Sequence, residues 1–173
     1  MKFGTKNIKI LARNEELYIK LLNGTIKTFN IPEGVNEIKR CLFKNCTSLT
    51  SITIPNSLTK IGTNAFQNCT ALTSITIPNS VTDIWTSAFQ NCTSLKSVTL
   101  SNSLTSLDNN LFKNCTSLTS ITIPKSVTKI AATAFGGCTN LTSITVQDKS
   151  EGEISGAPWG ATNATVTWTG GVN

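Results

Sequence analysis

Residues 54–76 read IPNSLTKIGTNAFQNCTALTSIT, and the segment that follows repeats them closely as IPNSVTDIWTSAFQNCTSLKSVT. The same pattern starts again at Leu100 and at Ile123, and a more divergent copy starts at Ile31. The copies follow one another without insertion or deletion, at a constant period of about 23 residues. This constant spacing predicts a solenoid, because each coil must stack in register on the previous one.

Each copy contains one strand pattern and one helix-like pattern. In residues 74–77, Ser-Ile-Thr-Ile, the isoleucines alternate with hydroxyl residues, so the isoleucines should face the core and the hydroxyls the solvent. Pro78 ends the strand, since proline cannot donate to an interior ladder. Between Ile61 and Cys69 the apolar residues are spaced by about one helical turn, which predicts a short α-helix or 3₁₀ segment.

One position of the repeat holds only asparagine or glycine. Both residue types tolerate a positive φ, which most other residues avoid. We therefore predict that this position is left-handed, ends the short helix and turns the following cysteine into the core. The residues concerned are Asn45, Asn68, Asn91, Asn114 and Gly137.

The repeated pattern L-T-S-I-T-I-P-N-S-V-T-x-I-x-x-x-A-F-x-N-C-T-S resembles the BspA-like, or Treponema-type, leucine-rich repeat over residues 31–146. The resemblance implies an α/β leucine-rich-repeat solenoid with a parallel β-sheet on the concave face and short helical or 3₁₀ segments on the convex face. It also implies a non-enzymatic binding or adhesion protein, secreted or at the cell surface. Its partner would be a protein or glycan, for example on a host cell or in its matrix. The fourth repeat departs from the pattern at Ser101 and Leu111.

The repeats divide the chain into three parts. Residues 1–30 are predicted to form an N-terminal cap, in which Phe29 lies one period before Ile52 and so belongs to a first, degenerate strand. Residues 31–146 form five repeats. Residues 147–173 form a C-terminal cap, where Trp159 and Trp168 would cover the open end of the core. The beginning of the chain has no apolar stretch or cleavage site typical of a secretory signal.

The composition argues against several classes of function. The chain has no histidine, which excludes Ser-His, Cys-His and His-ligated metal sites within it. It has no Gly-rich phosphate loop and, apart from the adjacent Glu15 and Glu16, its acidic residues are scattered, so we expect neither catalysis, nor a cofactor, nor a metal. No apolar run is long enough to cross a bilayer. We also favour a monomer.

The net charge of +6 arises in residues 1–60, which carry ten Lys or Arg and four Glu. A nucleic-acid groove combines a continuous basic track with aromatic platforms, and the densest basic cluster here, around Arg40, has no such platform. A solvated basic end is therefore the better interpretation, and no nucleic-acid partner is expected.

Five of the six cysteines share one position of the repeat, and Cys41 occupies another. Stacked cysteines would be close enough for a disulfide, but their parallel Cβ vectors oppose its geometry. We predict buried, inert thiols at this position and an exposed, reactive thiol at Cys41. The five are Cys46, Cys69, Cys92, Cys115 and Cys138.

Two columns of hydroxyls are the best candidate binding site. They should run along the exposed face of the sheet, where each repeat adds one row. The alternative is that Ser and Thr merely suit a solvated β-surface. The candidates are Ser51, Thr53, Ser74, Thr76, Ser97, Thr99, Ser120, Thr122, Ser143 and Thr145, together with Lys96, which replaces a threonine next to the columns. Trp85 also breaks the repeat, and is either an exposed anchor for a partner or packed against a neighbouring coil.

Three functions fit these residues. The first is a binding module that holds a protein or glycan on the hydroxyl face, where recognition would be polar and hydrated. The second is a structural spacer or display scaffold without a ligand of its own. A distant third is an ice-binding surface, which a thermal-hysteresis assay would detect.

Overall fold

The computed structural model describes residues 8–13, 16–21 and 26–170. It is a parallel β-solenoid of about 6 turns with the leucine-rich-repeat fold. Before the first coil, β1 (Ile8–Arg13) and β2 (Glu16–Leu21) pair as an antiparallel hairpin. The hairpin is an element that the repeat pattern did not predict.

Each coil contributes one short strand to a long row of parallel strands. These strands are β3 (Thr28–Asn30), β5 (Ser51–Thr53), β7 (Ser74–Thr76), β9 (Ser97–Thr99), β11 (Ser120–Ile123) and β13 (Ser143–Val146), followed by β14 (Thr165–Trp168). Equivalent residues pair in register between β3 and β5, β7 and β9, and β11 and β13, as Ser74 does with Ser97 and Thr76 with Thr99. β5 and β7, and β9 and β11, lie next to each other without strand pairing. The predicted first strand at Phe29 is present and pairs with β5.

A second row of two-residue parallel strands lies later in each coil. It consists of β4 (Glu37–Ile38), β6 (Lys60–Ile61), β8 (Asp83–Ile84), β10 (Ser106–Leu107) and β12 (Lys129–Ile130). Each of these strands has an isoleucine or leucine as its second residue, and that residue is buried. The apolar core therefore lies between the two rows of strands.

The predicted helical segments are wrong, because the described residues contain turns and short strands but no helix. The backbone hydrogen bonds give the reason. The amide of Phe66 donates to the carbonyl of Ala88 in the next coil at 2.8 Å, whereas the amide of Gln67 donates locally to Asn64 at 3.2 Å. A helix needs consecutive amides to bond within the segment. Here every second amide is used to join the coils.

The left-handed position is confirmed. Asn68 has φ 63° and Gly137 has φ 74°, and the three other asparagines of this position behave alike. The asparagines also form a ladder along the solenoid, in which Asn68 Nδ2 donates to Asn45 Oδ1 at 2.7 Å and Asn91 Nδ2 donates to Asn68 Oδ1 at 2.7 Å. Asparagine thus supplies both the backbone conformation and a bond between coils.

The core contains a column of phenylalanines, one from each coil. Neighbouring rings are nearly parallel, with centroids 5.1 to 5.8 Å apart. The five rings are Phe43, Phe66, Phe89, Phe112 and Phe135, and all are fully buried or nearly so. Offset stacking of this kind adds to the free energy of apolar burial.

The two departures in the fourth repeat have structural roles. Ser101 stands where the neighbouring repeats have proline, and its buried hydroxyl donates to the carbonyl of Val81 at 2.6 Å and accepts from the amide of Ser103 at 3.1 Å. Leu111 stands where they have alanine and is completely buried. Both residues therefore complete the core of this coil.

After the last repeat the chain adds one more strand. β14 pairs in parallel with β13, and Trp159 is completely buried, with Nε1 donating to the carbonyl of Ser155 at 2.8 Å. The ring of Trp168 meets that of Trp159 edge-on, with centroids 6.1 Å apart. Both tryptophans therefore pack against the end of the repeats.

Candidate binding face

The predicted hydroxyls lie side by side on the solvent side of β5, β7, β9, β11 and β13. We call this surface the sheet face. The eight hydroxyl residues of β5 to β11 are exposed, whereas Ser143 and Thr145 of β13 are half-buried. The isoleucines between them, such as Ile75, point into the core as predicted. The structure therefore brings the ten predicted residues together on one continuous surface.

The hydroxyls of the sheet face differ from other threonines of the repeat in their hydrogen bonds. Thr59, at the turn after β5, donates its hydroxyl to the carbonyl of Asn36 in the preceding coil at 3.0 Å. Thr50, just before β5, does the same to Lys27 at 2.8 Å. By contrast, none of the ten hydroxyls of the sheet face bonds to a described residue. Thr50 and Thr59 therefore use their hydroxyls to join coils, whereas the hydroxyls of the sheet face are free to bind a ligand.

The same surface continues at both ends. Thr165 and Thr167 of β14 pair with Ser143 and Thr145 and are exposed. Thr28 of β3 pairs with Ser51 and is also exposed. These residues were missing from the sequence-based candidates. The alternation Thr-Val-Thr in β14 was a usable signal, but its offset from β13 is one residue short of the repeat period.

Two open clefts border the sheet face where its strands end. The larger, of about 760 Å³, is lined by Thr76, Thr99 and Thr122 and by the asparagines of the following turns. The smaller, of about 410 Å³, lies beside β5 and β7 and includes Ser51, Thr53, Ser74 and Thr76. The hydroxyl columns therefore form one wall of a trough lined by both polar and apolar side chains.

Lys96 and Trp85 lie in different places. Lys96 is exposed immediately before β9, next to Ser97 of the sheet face. Trp85 follows β8 in the second row of strands, lines neither cleft, and is 39% exposed. The structure therefore joins Lys96 to the sheet face and leaves Trp85 outside it.

The five cysteines of the common position are buried and unpaired, and four of their thiols hydrogen-bond to carbonyls of the coils before them. Cys92 Sγ donates to the carbonyl of Phe66 at 3.2 Å, and Cys138 Sγ to that of Phe112 at 3.0 Å. Burial raises the pKa of Cys92 to about 12 and that of Cys138 to about 11. Because the thiolate is the reactive form, these sulfurs are shielded from electrophiles. Cys41 differs, since it is half-buried and has φ 60°.

Alkylation with iodoacetamide tests the contrast between these thiols. In the folded protein at about pH 8, we expect Cys41 to be labelled first and Cys92 to be protected, because burial keeps it protonated and out of reach. In about 8 M urea all cysteines should react. Peptide mass spectrometry measures the labelling of each site. Labelling of Cys92 as fast as Cys41 in the folded state would contradict the buried ladder.

The same shifts predict that alkali destabilises the fold. The ordinary thiol pKa is 9.0, and the pKa of Cys92 is higher in the folded state. Between these values the folded chain holds protons that the unfolded chain has lost, so the free energy of unfolding falls as pH rises above about 9. Urea unfolding of the wild type and of Cys92→Ala, from neutral to alkaline pH, measures the effect. We expect a smaller pH-dependent loss in Cys92→Ala.

The described ranges, 8–13, 16–21 and 26–170, contain no group of three or more Cys, Asp or Glu arranged to hold a metal ion. Within the same ranges, no helix has the length and apolar character needed to span a membrane.

Comparison with known proteins agrees with the geometry. The model of the BspA type leucine rich repeat region matches residues 20–142 in six copies. No curated protein matches the chain. A leucine-rich repeat protein from Bacteroides ovatus is 36% identical with a TM-score of 0.64, over 73% of this chain and 34% of that one. The chain thus spans about a third of the length of that protein.

Two further structures share the fold. The leucine-rich repeat protein of T. pallidum has a TM-score of 0.74 and 24% identity, over 97% of this chain and 82% of that one. A leucine-rich repeat protein from Eubacterium ventriosum has a TM-score of 0.70 and 25% identity, over 94% and 51%. The family match agrees with the repeat pattern and with the parallel solenoid. The chain therefore belongs to the BspA-type leucine-rich repeat family.

Proposed function

We propose that this protein is a non-enzymatic binding module that holds a protein or glycan against its sheet face. The leucine-rich-repeat fold is a general scaffold for protein interactions, and solenoids of this family are typically non-enzymatic. The observation that carries the proposal is the free state of the ten hydroxyls of the sheet face, next to threonines whose hydroxyls are used within the solenoid. A solvent-exposed array of unbonded donors and acceptors is available to a polar ligand.

We further propose that residues 1–30 and 147–173 act as caps of the array, and that the protein works at the cell surface or after secretion. The burial of Trp159 and the parallel pairing of β14 support a closing role for the C-terminal segment. BspA-type proteins are often found at the cell surface, which supports the location.

The proposed function is tested by screening the purified protein against glycans and matrix proteins with matched variants. The double variant Thr76→Arg and Thr99→Arg places two bulky charges in the middle of the sheet face. Because both residues are exposed, the fold should survive while affinity falls by about a hundredfold or more. Surface plasmon resonance measures the affinity, and circular dichroism verifies the fold.

Thr105→Arg is the matched control, since Thr105 is exposed between β9 and β10 and lines neither cleft. We expect this variant to bind as the wild type does. If a partner is found and the double variant retains its affinity, the sheet face is not the binding surface. A structural spacer would instead bind none of the screened molecules.

A further inference from the structure

We infer that the cleft of about 760 Å³ beside β7, β9 and β11 is the specificity-determining subsite, and that its ligand is an uncharged oligosaccharide. This inference rests on the proposed function, because it names the ligand class and the position on the same sheet face. The volume of this cleft falls within the usual range of small-ligand sites, about 300–1,000 Å³.

The repeat sequence changes at this cleft. The strand of the fourth repeat carries Val98 where the other strands of the array have isoleucine, and Leu100 where the second, third and fifth repeats begin with isoleucine. Both residues line the cleft. Val98 is half-buried, whereas the equivalent Ile75 and Ile121 are only 3% exposed. Val98 is therefore a partly exposed apolar residue in the lining, so the cleft is a modified place in an otherwise regular face.

The lining of the cleft also indicates the charge of its ligand. Every residue lining the cleft is uncharged, and its polar groups are hydroxyls and amides such as Thr99, Asn102 and Gln147. Lys125 lies next to this lining, but its ammonium faces the Asp148 carboxylate at 3.8 Å. An anionic or cationic ligand would lose hydration without gaining an ion pair inside the cleft. An uncharged polar ligand has no such cost.

The position of β9 in the row of strands favours a sugar over a peptide as the ligand. Peptides that add to a sheet need an exposed strand edge for their main-chain hydrogen bonds. β9 pairs with β7 on one side and has Cα atoms of β11 within 8 Å on the other, so no further strand fits beside it. A sugar ring instead presents hydroxyls at its rim and C–H groups on its faces. The rim matches Thr76, Thr99 and Asn102, and the faces match the apolar surface of Val98 and Pro78.

The test uses the full chain and isothermal titration calorimetry. The probes are linear hexasaccharides of glucose, mannose and xylose, a galacturonic acid hexasaccharide of the same length, and a Ser/Thr-rich decapeptide pool. We expect at least one neutral hexasaccharide to bind with a dissociation constant below about 1 mM, and the galacturonate and the peptides to bind at least about tenfold more weakly.

Two variants then locate the subsite. Val98→Ile restores the side chain of the other repeats, so it should keep the fold while it adds a methylene group to the partly exposed apolar part of the lining and weakens binding about tenfold. Thr99→Val removes one hydroxyl from the cleft with little change of shape and should also weaken binding about tenfold. Thr53→Val is the control, because Thr53 occupies the same position on β5 and does not line this cleft.

The inference is overturned if no neutral hexasaccharide binds at about 1 mM, if the galacturonate or the peptides bind better, or if Val98→Ile and Thr99→Val bind like the wild type. These results refute only the subsite, and not the proposed function, if the Thr76→Arg and Thr99→Arg double variant loses binding to a screened partner. Retained binding in that double variant would instead refute the proposed function itself.

Discussion

Replacing Phe89 with alanine is expected to lower the free energy of unfolding by about 3–5 kcal/mol. The ring is fully buried and stacks on Phe66 at 5.2 Å and on Phe112 at 5.5 Å, so its loss opens a cavity and removes two ring contacts. It also weakens the interfaces of its coil with both neighbours, and these interfaces stabilise a solenoid. Urea unfolding followed by circular dichroism measures the change.

Trp85→Ala is the matched control for this prediction, because it removes an aromatic ring from the same coil. Trp85 is 39% exposed and has no stacking partner among the described rings, so we expect a smaller loss, of about 1 kcal/mol. Comparable losses for the two variants would show that the phenylalanine column contributes no more than any surface aromatic.

Replacing Asn91 with alanine is expected to cost about 2–4 kcal/mol of the free energy of unfolding. Asn91 donates from Nδ2 to Asn68 and accepts at Oδ1 from Asn114, at 2.7 and 2.9 Å, and alanine loses both bonds. Alanine must also adopt the left-handed conformation, since φ is 60° at this position. Thermal or urea unfolding measures the loss.

Asn91→Gly separates the two contributions. Glycine also loses the ladder bonds, but it adopts positive φ without steric cost, as Gly137 does at the same position of its repeat. We therefore expect Asn91→Gly to be more stable than Asn91→Ala by about 1–2 kcal/mol. Equal stability of the two variants would be inconsistent with a conformational cost at this position.

The sequence predicted those parts of the fold that every coil repeats. The alternation around Ile75 predicted both the strand and the side of it that is buried, because a one-residue shift would expose the isoleucines. The Asn and Gly position predicted the left-handed turn, because few residue types tolerate it. The sequence does not decide whether Trp85 is an exposed anchor or is packed against a neighbouring coil, and its exposure of 39% is compatible with both.

Other features were not readable because they depend on the neighbouring coil. The apolar spacing from Ile61 to Cys69 fits a helix, but the bonds of alternate amides to the next coil prevent one from forming. A second left-handed position occurs at Cys41, Asn64, Ser87 and Asn110, where φ is 57° to 60°. Asparagine occurs at two of these four residues, but cysteine and serine at the other two give no sign of this conformation in a sequence.

The candidate site was predictable as a face but not as a cleft. Alternation placed Thr76 and Thr99 in one column, and the parallel register confirms that they are neighbours. The free state of their hydroxyls was not predictable, because Thr59 is an equally exposed threonine of the repeat and yet bonds to Asn36. The partial exposure of Val98 was not predictable either, because the sequence shows only a conservative change from isoleucine at this position.

The proposed function requires that the sheet face is the surface that contacts the partner. The most direct measurement is the ratio of dissociation constants between the Thr76→Arg and Thr99→Arg double variant and Thr105→Arg, for the first partner that the wild type binds. We predict a ratio of about a hundred or more, with both variants folded as judged by circular dichroism. A ratio near one would contradict the account, because the partner would then bind elsewhere on the solenoid.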